Sequence, residues 1–536
     1  MSSLIEYSYA QFHTLPDMPI SKIIDEDETF GTITLKINKT NITTTPTLFL
    51  FTIDTTGSMS ESAYKNVSKM TVVKQTFNSM ITYLSNLETP IYIRVHSFNE
   101  TVTVVVDNML ITKDNFTEII YKIDNLLPDR STNIGDALKS ANDLMEKYSN
   151  ENPNHQVVHI FMTDGEATFG ITNENELAKI VNTSFSNNFV GFGLDHNASL
   201  LKKLSDLENS EYMFVDNMEN TTMIYGETIH RYLYSAIKNA EIRIEDGLIY
   251  NWKTNTWDNK LVEPIIISEV EKIYHIKSKN IEELEIELYG IIDSDNNNVQ
   301  LLDTIEIMPD LISFNNIKNE EQINEQEIDE DNYVIQPNDL SKYMFRQRTQ
   351  ELLFISKNFV DNDKINNFKT ELKSFFKIMR DYMKNNDLLK DKFMITLCDD
   401  ICITYRSVGT AVGLMYSASR STSQGRQQTY NVTPIARNRA LPDFPINRSY
   451  NSLMPPPLMR GGTGVVNNLT QEFIEDTYMD YKGFNINTGI IDDEIKENNE
   501  ITCGEYEIDN YELSNDITSC YANEGTLNTM RSMSQM

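Results

Sequence analysis

The chain has 536 residues and carries 46 lysines and arginines against 79 aspartates and glutamates, a formal net charge of −33. A negative field of this size repels phosphate backbones and anionic lipids, so it disfavours nucleic-acid and membrane binding by the whole protein. The same field is compatible with divalent cations and with basic protein partners. The length predicts roughly two to four domains.

Cysteine usage and the apolar runs bear on the cellular compartment. Four cysteines are too few for a disulfide scaffold in a chain of this size. Cys398 and Cys402 have no second pair of cysteines or histidines nearby, which favours buried or free thiols over a zinc site. The first residues show no basic stretch followed by an apolar core, and no apolar run is long enough to span a bilayer. We therefore expect an intracellular, cytoplasmic protein without membrane insertion.

The N-terminal segment, residues 1–45, predicts a polar lead that is followed by a strand. Residues 31–37 alternate between apolar and polar side chains, as is typical of a strand with one buried face. This strand differs in pattern from the apolar stretch that comes next, so we expect it to belong to a different sheet.

Residues 46–240 predict an α/β domain with a doubly wound, mostly parallel sheet. The stretch 48–54 is apolar without alternation, as in a strand that helices cover on both faces. A helical spacing of apolar residues follows, at Val73, Phe77, Met80, Ile81 and Leu84. Strands and helices then alternate through the rest of the segment, which indicates a parallel sheet between two layers of helices.

Oxygen-bearing side chains gather at the predicted strand ends of this domain. Asp54, Thr56 and Ser58 follow the first buried strand, Thr132 lies on a loop that enters a helix, and Asp164 ends a second buried strand. Carboxylates and hydroxyls at the carboxyl ends of parallel strands meet in the crevice where such folds bind ligands. Oxygen ligands suit Mg²⁺ or Mn²⁺ better than zinc or copper. The alternative is that these residues only cap helices and shape turns.

The segment from 46 to 238 resembles the von Willebrand factor A (VWA) domain with its metal-ion-dependent adhesion site. The resemblance covers under half of the chain, and two positions depart from the family pattern: Thr56 replaces the more usual serine, and Ser131 stands where a glycine often precedes the threonine. Neither departure removes a ligand. The family's three motifs are matched in order by Asp54, Thr56 and Ser58, then by Thr132, and then by Thr163, Asp164 and Gly165.

The resemblance implies a specific mode of binding. In the family the hydroxyls bind Mg²⁺ directly, the aspartates act mostly through water, and one coordination position stays open for an Asp or Glu of a partner. We therefore expect a protein–protein interaction module with metal ligands Asp54, Thr56, Ser58, Thr132 and Asp164, and not an enzyme.

Two other function classes remain open. Catalysis is the first, but Ser58 has no evident histidine base, and His159 lies in the middle of a strand, where a core histidine is favoured. A Mg²⁺-dependent hydrolase would need further carboxylates, and Asp136, inside a helix, is better read as a capping or surface residue. The second class is an assembly scaffold in which the metal only stabilises the fold.

Residues 241–312 change to a period of two and predict an antiparallel β-sandwich. Short alternating strands occupy 241–244, 262–267, 273–276 and 284–288. The early strand at 31–37 is the expected extra member, so that the VWA domain is inserted into this β module. A flanking β-sandwich of this kind is a known pattern in VWA proteins, so the resemblance supports this arrangement.

The remainder of the chain alternates between charged and helical segments. Residues 313–335 predict an acidic linker with little to bury, and residues 336–405 predict a helical hairpin with a third helix, packed on the β module or on a partner. This helical region is similar to the one that follows VWA domains in some proteins. Residues 406–465 predict an Arg/Ser/Pro-rich flexible segment, and residues 466–536 predict an acidic tail that could attract it. The apolar stripes of the hairpin are Phe345, Leu352, Ile355 and Phe359, and Ile365, Phe368, Leu372, Phe375 and Met379.

Overall fold

The structure is a computed structural model, and it leaves parts of the chain undescribed. The predicted acidic linker, residues 428–465 of the predicted flexible segment and most of the predicted tail lie outside the described residues. The described residues are 4–13, 24–38, 45–64, 67–193, 196–215, 221–292, 298–308, 339–359, 364–427, 507–509, 511, 513, 521 and 524–534.

Strands and helices of the described residues are numbered here in chain order. The strands are Ile5–Phe12 (β1), Thr29–Ile37 (β2), Thr47–Asp54 (β3), Ser62–Tyr64 (β4), Val67–Ser68 (β5), Ile91–Phe98 (β6), Val102–Leu110 (β7), Gln156–Thr163 (β8), Ser186–Phe192 (β9), Ser210–Val215 (β10), Ser235–Glu245 (β11), Leu248–Asn251 (β12), Thr256–Asp258 (β13), Lys260–Ile267 (β14), Glu271–Ser278 (β15), Glu285–Ile291 (β16) and Gln300–Thr304 (β17). The α-helices are Lys69–Ser85 (α1), Phe116–Asp124 (α2), Ile134–Glu151 (α3), Glu174–Ala178 (α4), Ala198–Ser205 (α5), Thr221–Leu233 (α6), Ser341–Lys357 (α7), Ile365–Asn385 (α8), Lys392–Ser407 (α9), Ala411–Arg426 (α10) and Glu524–Ser534 (α11).

The central sheet has the strand order β10-β9-β8-β3-β6-β7, and β3 lies in its middle. Strand β3 pairs in parallel with both β6 and β8, whereas β7 is an antiparallel edge strand. Every residue of β3 is buried. Phe49, Phe51 and Ile53 pack against α1 and α6, while Leu48 and Leu50 pack against α3. The doubly wound α/β fold predicted from the unbroken apolar run is confirmed.

The connection after β3 is longer than the sequence pattern suggests. We predicted that β3 leads directly into a helix, but a 3₁₀ turn over Gly57–Ser60 and the short hairpin of β4 and β5 come first. The backbone N–H of Lys69 donates to Glu61 O at 2.9 Å and closes this hairpin where α1 begins. The first residue of α1 therefore lies next to the turn that follows β3.

The antiparallel part consists of two packed sheets, with strand orders β1-β2-β15-β12-β13 and β14-β11-β16-β17. Strand β2 pairs with β15 along its length, so a strand that precedes the α/β domain belongs to the sheet that follows it. The faces that the two sheets turn towards each other are apolar. On the opposite face of the sheet that contains β2, Thr32 is buried too. The reason is that α7 covers that face: Gln347 Oε1 lies 2.8 Å from Nδ1 of His275, the residue that pairs with Thr32.

The helices α7 to α10 pack on both the antiparallel sheets and the α/β domain, and α10 corrects a prediction. Residues 411–426 form a helix and not a flexible segment. Arg420 of this helix is buried, and its Nη1 lies 2.8 Å from Oδ1 of the fully buried Asp400. Arg426 forms an ion pair with Glu211 of β10. The prediction was wrong because an arginine that finds a buried carboxylate can enter a core.

The end of the chain is also helical where the structure describes it. Helix α11 packs on α6 and α1, and Met533 is fully buried in the core that these helices share. Thr529 Oγ1 lies 2.9 Å from His230 Nδ1 on α6. An acidic tail is therefore the wrong description of residues 524–534. Among the described residues, no helix is both long and apolar enough to cross a membrane.

Candidate metal centre

The centre begins with two neighbouring strand ends. Asp54 is the last residue of β3 and Thr163 is the last residue of β8, and these strands run side by side in parallel. The buried carboxylate of Asp54 accepts two hydrogen bonds, from Thr163 Oγ1 to Oδ2 at 2.5 Å and from the backbone N–H of Thr56 to Oδ1 at 2.8 Å. These two donors hold Asp54 in one orientation. We did not predict this contribution of Thr163, although it stands in the third motif.

A chain of hydroxyls connects the turn after β3 to the turn after β8. Thr56 Oγ1 lies 3.0 Å from Ser58 Oγ, and Ser58 Oγ donates to Asp164 Oδ1 at 2.8 Å. Thr56 has an extended backbone, and Ser58 belongs to the 3₁₀ turn that follows. The two hydroxyls therefore reach the same place because the chain bends, and not because a strand continues.

Thr132 comes from a third segment and lies next to these groups. Its carbonyl accepts the backbone N–H of Thr168 at 3.0 Å, and the loop before it is attached to the first turn because Gly57 N donates to Arg130 O at 3.1 Å. A Cβ built on Gly165 would lie 3.7 Å from both Thr132 Oγ1 and Ser58 Oγ. The structure thus brings all five sequence-predicted residues together. In the loop before Thr132, Arg130 has a positive φ of 69°.

Lys69 is a charged residue at the centre that we did not predict from the sequence. Lys69 Nζ lies 2.8 Å from Asp164 Oδ2 and 3.3 Å from Glu61 Oε2. The lysine side chain is only 3% exposed. Nothing in the spacing of the motifs indicates it, because Lys69 reaches Asp164 only through the hairpin of β4 and β5.

Burial dominates the electrostatics of Asp54. It raises the pKa of this carboxyl to about 6, and the charge of Asp164 acts in the same direction, while hydrogen bonds from Thr163 and Thr56 act against both. Two carboxylates held close together in a buried place favour a nearby positive charge. Lys69 supplies one such charge, and a divalent cation would supply more.

The donor set fits a hard divalent cation. Thr56, Ser58 and Thr132 offer hydroxyl oxygens, and Asp54 and Asp164 offer carboxylate oxygens, which are ligands of the kind that Mg²⁺ and Mn²⁺ prefer. Within the part of the chain that the structure describes, no group of three or more His, Cys, Asp and Glu is placed to hold a metal. The hydroxyls are therefore essential to any metal site here. A bound cation would act as a Lewis acid towards an oxygen ligand from outside.

The two residues considered for other roles lie elsewhere. His159 is buried in β8, where Nε2 lies 3.0 Å from Thr52 Oγ1 and Nδ1 lies 3.0 Å from Asn187 Oδ1. Asp136 accepts a hydrogen bond from Asn133 Nδ2 at 2.8 Å in the first turn of α3. His159 is thus a core histidine, and Asp136 belongs to the start of its helix.

Comparison with known proteins decides the identity of the α/β domain. A family model described as von Willebrand factor type A domain matches residues 49–166, which include all five candidate ligands. The chain contains a VWA domain. The predicted VWA domain is thereby confirmed. No curated protein sequence matches the chain significantly.

Several solved structures are similar in fold. A von Willebrand factor type A protein from Catenulispora acidiphila is 12% identical, with 76% of this chain and 91% of that chain covered and a TM-score of 0.43. The ArnB paralog VWA2 from Sulfolobus acidocaldarius is 12% identical, with 78% and 98% covered and a TM-score of 0.45. Proximal thread matrix protein 1 from the mussel byssus, with a zinc-occupied MIDAS motif, is 19% identical, with 34% and 47% covered and a TM-score of 0.29. At these values the similarities do not bear on function.

Proposed function

We propose that the VWA domain binds Mg²⁺ or Mn²⁺ at this centre and, through the metal, an Asp or Glu side chain of a protein partner. The observation that carries the proposal is the convergence of three distant segments at the end of β3 and β8. Ser58 Oγ bonds Asp164 Oδ1 at 2.8 Å, and the Thr132 hydroxyl lies beside them. Capping and turn formation alone do not require the three segments to meet at one point.

The centre reaches the surface at the two turns that follow β3 and β8, where a metal could accept an outside ligand. Gly57 is exposed, and Ser58 and Gly165 are half-buried, whereas Asp54 is fully buried. Phe169 is 50% exposed, and its backbone N–H donates to Thr132 O at 3.0 Å. An approaching partner therefore meets Ser58 first, because Thr56 and Thr132 are buried.

The charge of the whole protein explains why a metal is needed for such a partner. With a net charge of −33, the chain repels an acidic side chain on another protein. A divalent cation at the strand ends supplies a local positive charge to which a carboxylate can coordinate. Recognition of an acidic residue would then depend strictly on the metal.

We assign the centre to binding and not to catalysis. Ser58 Oγ donates a hydrogen bond to the carboxylate of Asp164, whose other oxygen is paired with Lys69. His159, the histidine nearest in the sequence to the third motif, is engaged with Thr52 and Asn187 in the core. A serine nucleophile of the common type is paired with a histidine base, whereas Ser58 contacts Thr56 and Asp164 instead.

Affinity purification tests the proposal. The whole chain is used as bait in Mg²⁺ and in EDTA, together with Asp54→Ala and the matched control Asp143→Ala, which removes an exposed carboxylate from α3. We expect a protein to be captured in Mg²⁺ by the wild type and by Asp143→Ala, and to be lost in EDTA and with Asp54→Ala. Recovery of the same protein under all four conditions would contradict metal-dependent recognition.

One observation favours a second candidate, an assembly scaffold in which the metal only stabilises the fold. The centre is already held together by hydrogen bonds and by the ion pair of Lys69 with Asp164 at 2.8 Å. A scaffold would keep its partners in EDTA and lose only thermal stability. The same purification, combined with melting curves in Mg²⁺ and EDTA, separates the two candidates.

A further inference from the structure

Lys69 occupies an unusual place for a lysine. Its ammonium group lies at the candidate metal centre, 2.8 Å from Asp164 Oδ2 and 3.3 Å from Glu61 Oε2. Since Ser58 Oγ donates to the other oxygen of Asp164 at 2.8 Å, both carboxylate oxygens are engaged. One is held by a neutral hydroxyl and the other by a full positive charge.

The backbone around Lys69 keeps the ammonium group in this position. Lys69 N donates to Glu61 O at 2.9 Å, and Ser68 caps α1 by accepting the N–H of Thr71 at 3.1 Å. With 3% exposure, the lysine side chain is almost completely withdrawn from water. Burying an ammonium ion is costly unless carboxylates compensate for it, so the lysine and the acidic centre depend on each other.

The charge balance of the centre changes when Lys69 is included. The carboxylates of Asp54 and Asp164 contribute two negative charges, and the ammonium group offsets one of them. Glu61 also contacts the ammonium group, at 3.3 Å, but its carboxylate is largely exposed to water. A divalent cation that enters the centre therefore meets a weaker attraction from the carboxylates and is repelled by the ammonium group as well. Buried charges are poorly screened, so this repulsion persists at physiological salt.

We propose that Lys69 is a tethered counter-ion of Asp164, which stabilises the centre when no metal is bound and lowers its affinity for divalent cations. This inference rests on the metal site of the proposed function. The ammonium group of Lys69 competes with the metal for Asp164, and it also keeps the centre ordered when no metal is bound. The metal then binds only when its concentration is high enough to overcome the lysine.

Two measured quantities should move in opposite directions when the charge is removed. Lys69→Met keeps the apolar stem and removes the ammonium group. In EDTA we expect a lower melting temperature than for the wild type, because Asp164 loses its ion pair. In a Mn²⁺ titration of the whole metal-free chain, followed by the electron paramagnetic resonance signal of free Mn²⁺, we expect binding about tenfold tighter than in the wild type.

The matched control is Lys74→Met, which removes the same charge from the same helix. Lys74 Nζ donates to Asp124 O at 2.7 Å on an exposed part of α1 and not at the centre. We expect its Mn²⁺ affinity to stay within about twofold of the wild type, because a distant exposed charge is screened. An equal gain in Lys74→Met and Lys69→Met would overturn the inference, since it would reflect net charge alone.

The outcomes separate this inference from the proposed function. If the wild type binds no Mn²⁺ while Lys69→Met does, metal-dependent recognition by the natural protein fails and the counter-ion role stands. Unchanged or weaker Mn²⁺ binding in a folded Lys69→Met overturns the counter-ion role. If Lys69→Met folds only when Mn²⁺ is present, the role is supported, because the metal then replaces the lysine. If it folds in neither condition, Lys69→Gln, which keeps a neutral donor for Asp164, is titrated with the same expected and overturning results.

Discussion

Thr163 Oγ1 lies 2.5 Å from Asp54 Oδ2, so a hydrogen bond joins the ends of two neighbouring parallel strands across 109 positions of the chain. Both residues are completely buried. The hydroxyl therefore has a double effect: it satisfies a carboxylate that water cannot reach, and it orients that carboxylate at the metal centre. The strength of this contact can be measured directly.

Replacing Thr163 by Val tests the contact. Valine keeps the shape of the side chain but removes the hydroxyl, so that Asp54 Oδ2 loses its donor and the Gly165 N–H loses its acceptor. We expect the free energy of unfolding in EDTA to fall by about 1–3 kcal/mol, because a buried acceptor left without a donor keeps its desolvation cost. Urea unfolding measures the change. Thr163→Ser, which retains the hydroxyl, should lose less, and equal losses in the two variants would contradict the role of the hydrogen bond.

Gly165 offers a way to disturb the metal centre without disturbing the fold. A Cβ at this position would stand 3.7 Å from Ser58 Oγ and from Thr132 Oγ1, which is ordinary contact, and Gly165 is not among the glycines with positive φ. We expect Gly165→Ala to change the free energy of unfolding in EDTA by no more than about 0.5 kcal/mol. Its methyl group would face the two hydroxyls, so Mn²⁺ binding should weaken several-fold.

The contrast between these two readouts is the test at Gly165. Melting curves in EDTA report on the fold, and Mn²⁺ titration reports on the centre. A variant that melts with the wild type and also binds Mn²⁺ equally well would show that the hydroxyls of Ser58 and Thr132 do not coordinate the metal.

The buried pair of Asp400 and Arg420 holds α9 and α10 together. The two charged groups are 2.8 Å apart, and Gln424 Nε2 donates to the other carboxylate oxygen at 2.7 Å. We expect Arg420→Met to lower the free energy of unfolding by about 3–5 kcal/mol, because it leaves a buried carboxylate without its counter-charge. Urea unfolding provides the measurement.

Further variants control for other effects of Arg420→Met. Lys377→Met removes an exposed positive charge from α8 and should change the free energy of unfolding by no more than about 0.5 kcal/mol. The double variant Asp400→Leu with Arg420→Met removes both charges, so it should recover part of the loss. The single variant Asp400→Leu completes the cycle, and losses that simply add in the double variant would mean that the pair does not interact.

His159 predicts part of the response to acid. Burial lowers the pKa of this ring from its usual 6.5 to about 4, although the hydrogen bond with Asn187 acts in the opposite direction. Between about pH 4 and 6.5, His159 therefore binds a proton in the unfolded chain but stays neutral in the folded protein. The stability due to the neutral ring is complete above that pH and is lost as the pH falls towards 4.

His159→Gln isolates this effect. We expect the free energy of unfolding to depend less steeply on pH between about 4 and 6.5 in the variant, by up to one proton, whatever its stability at neutral pH. Urea unfolding at a series of pH values in EDTA gives both slopes. The difference between the slopes is what counts, because the other titrating groups are common to the two proteins. Identical slopes would show that His159 is not held neutral.

The fold class and the meeting of the ligand segments could both be predicted without coordinates. The unbroken apolar runs at the ends of which Asp54 and Asp164 stand indicate buried parallel strands, and parallel strands place their carboxyl ends at one edge of a sheet. The strand order then brings β3 and β8 together. That the five residues bind a metal stays a prediction, as does the intracellular location.

Other features escaped prediction, and they share a physical cause. Lys69 at the centre, Arg420 in the core of the helices and Met533 beneath α6 each depend on a partner that is distant in the sequence. The pattern of apolar residues reports which face of a helix or strand is buried, because burial of apolar area acts locally along the element. It cannot report whether a charged side chain will meet a compensating charge, since only the packing of distant segments brings the two together.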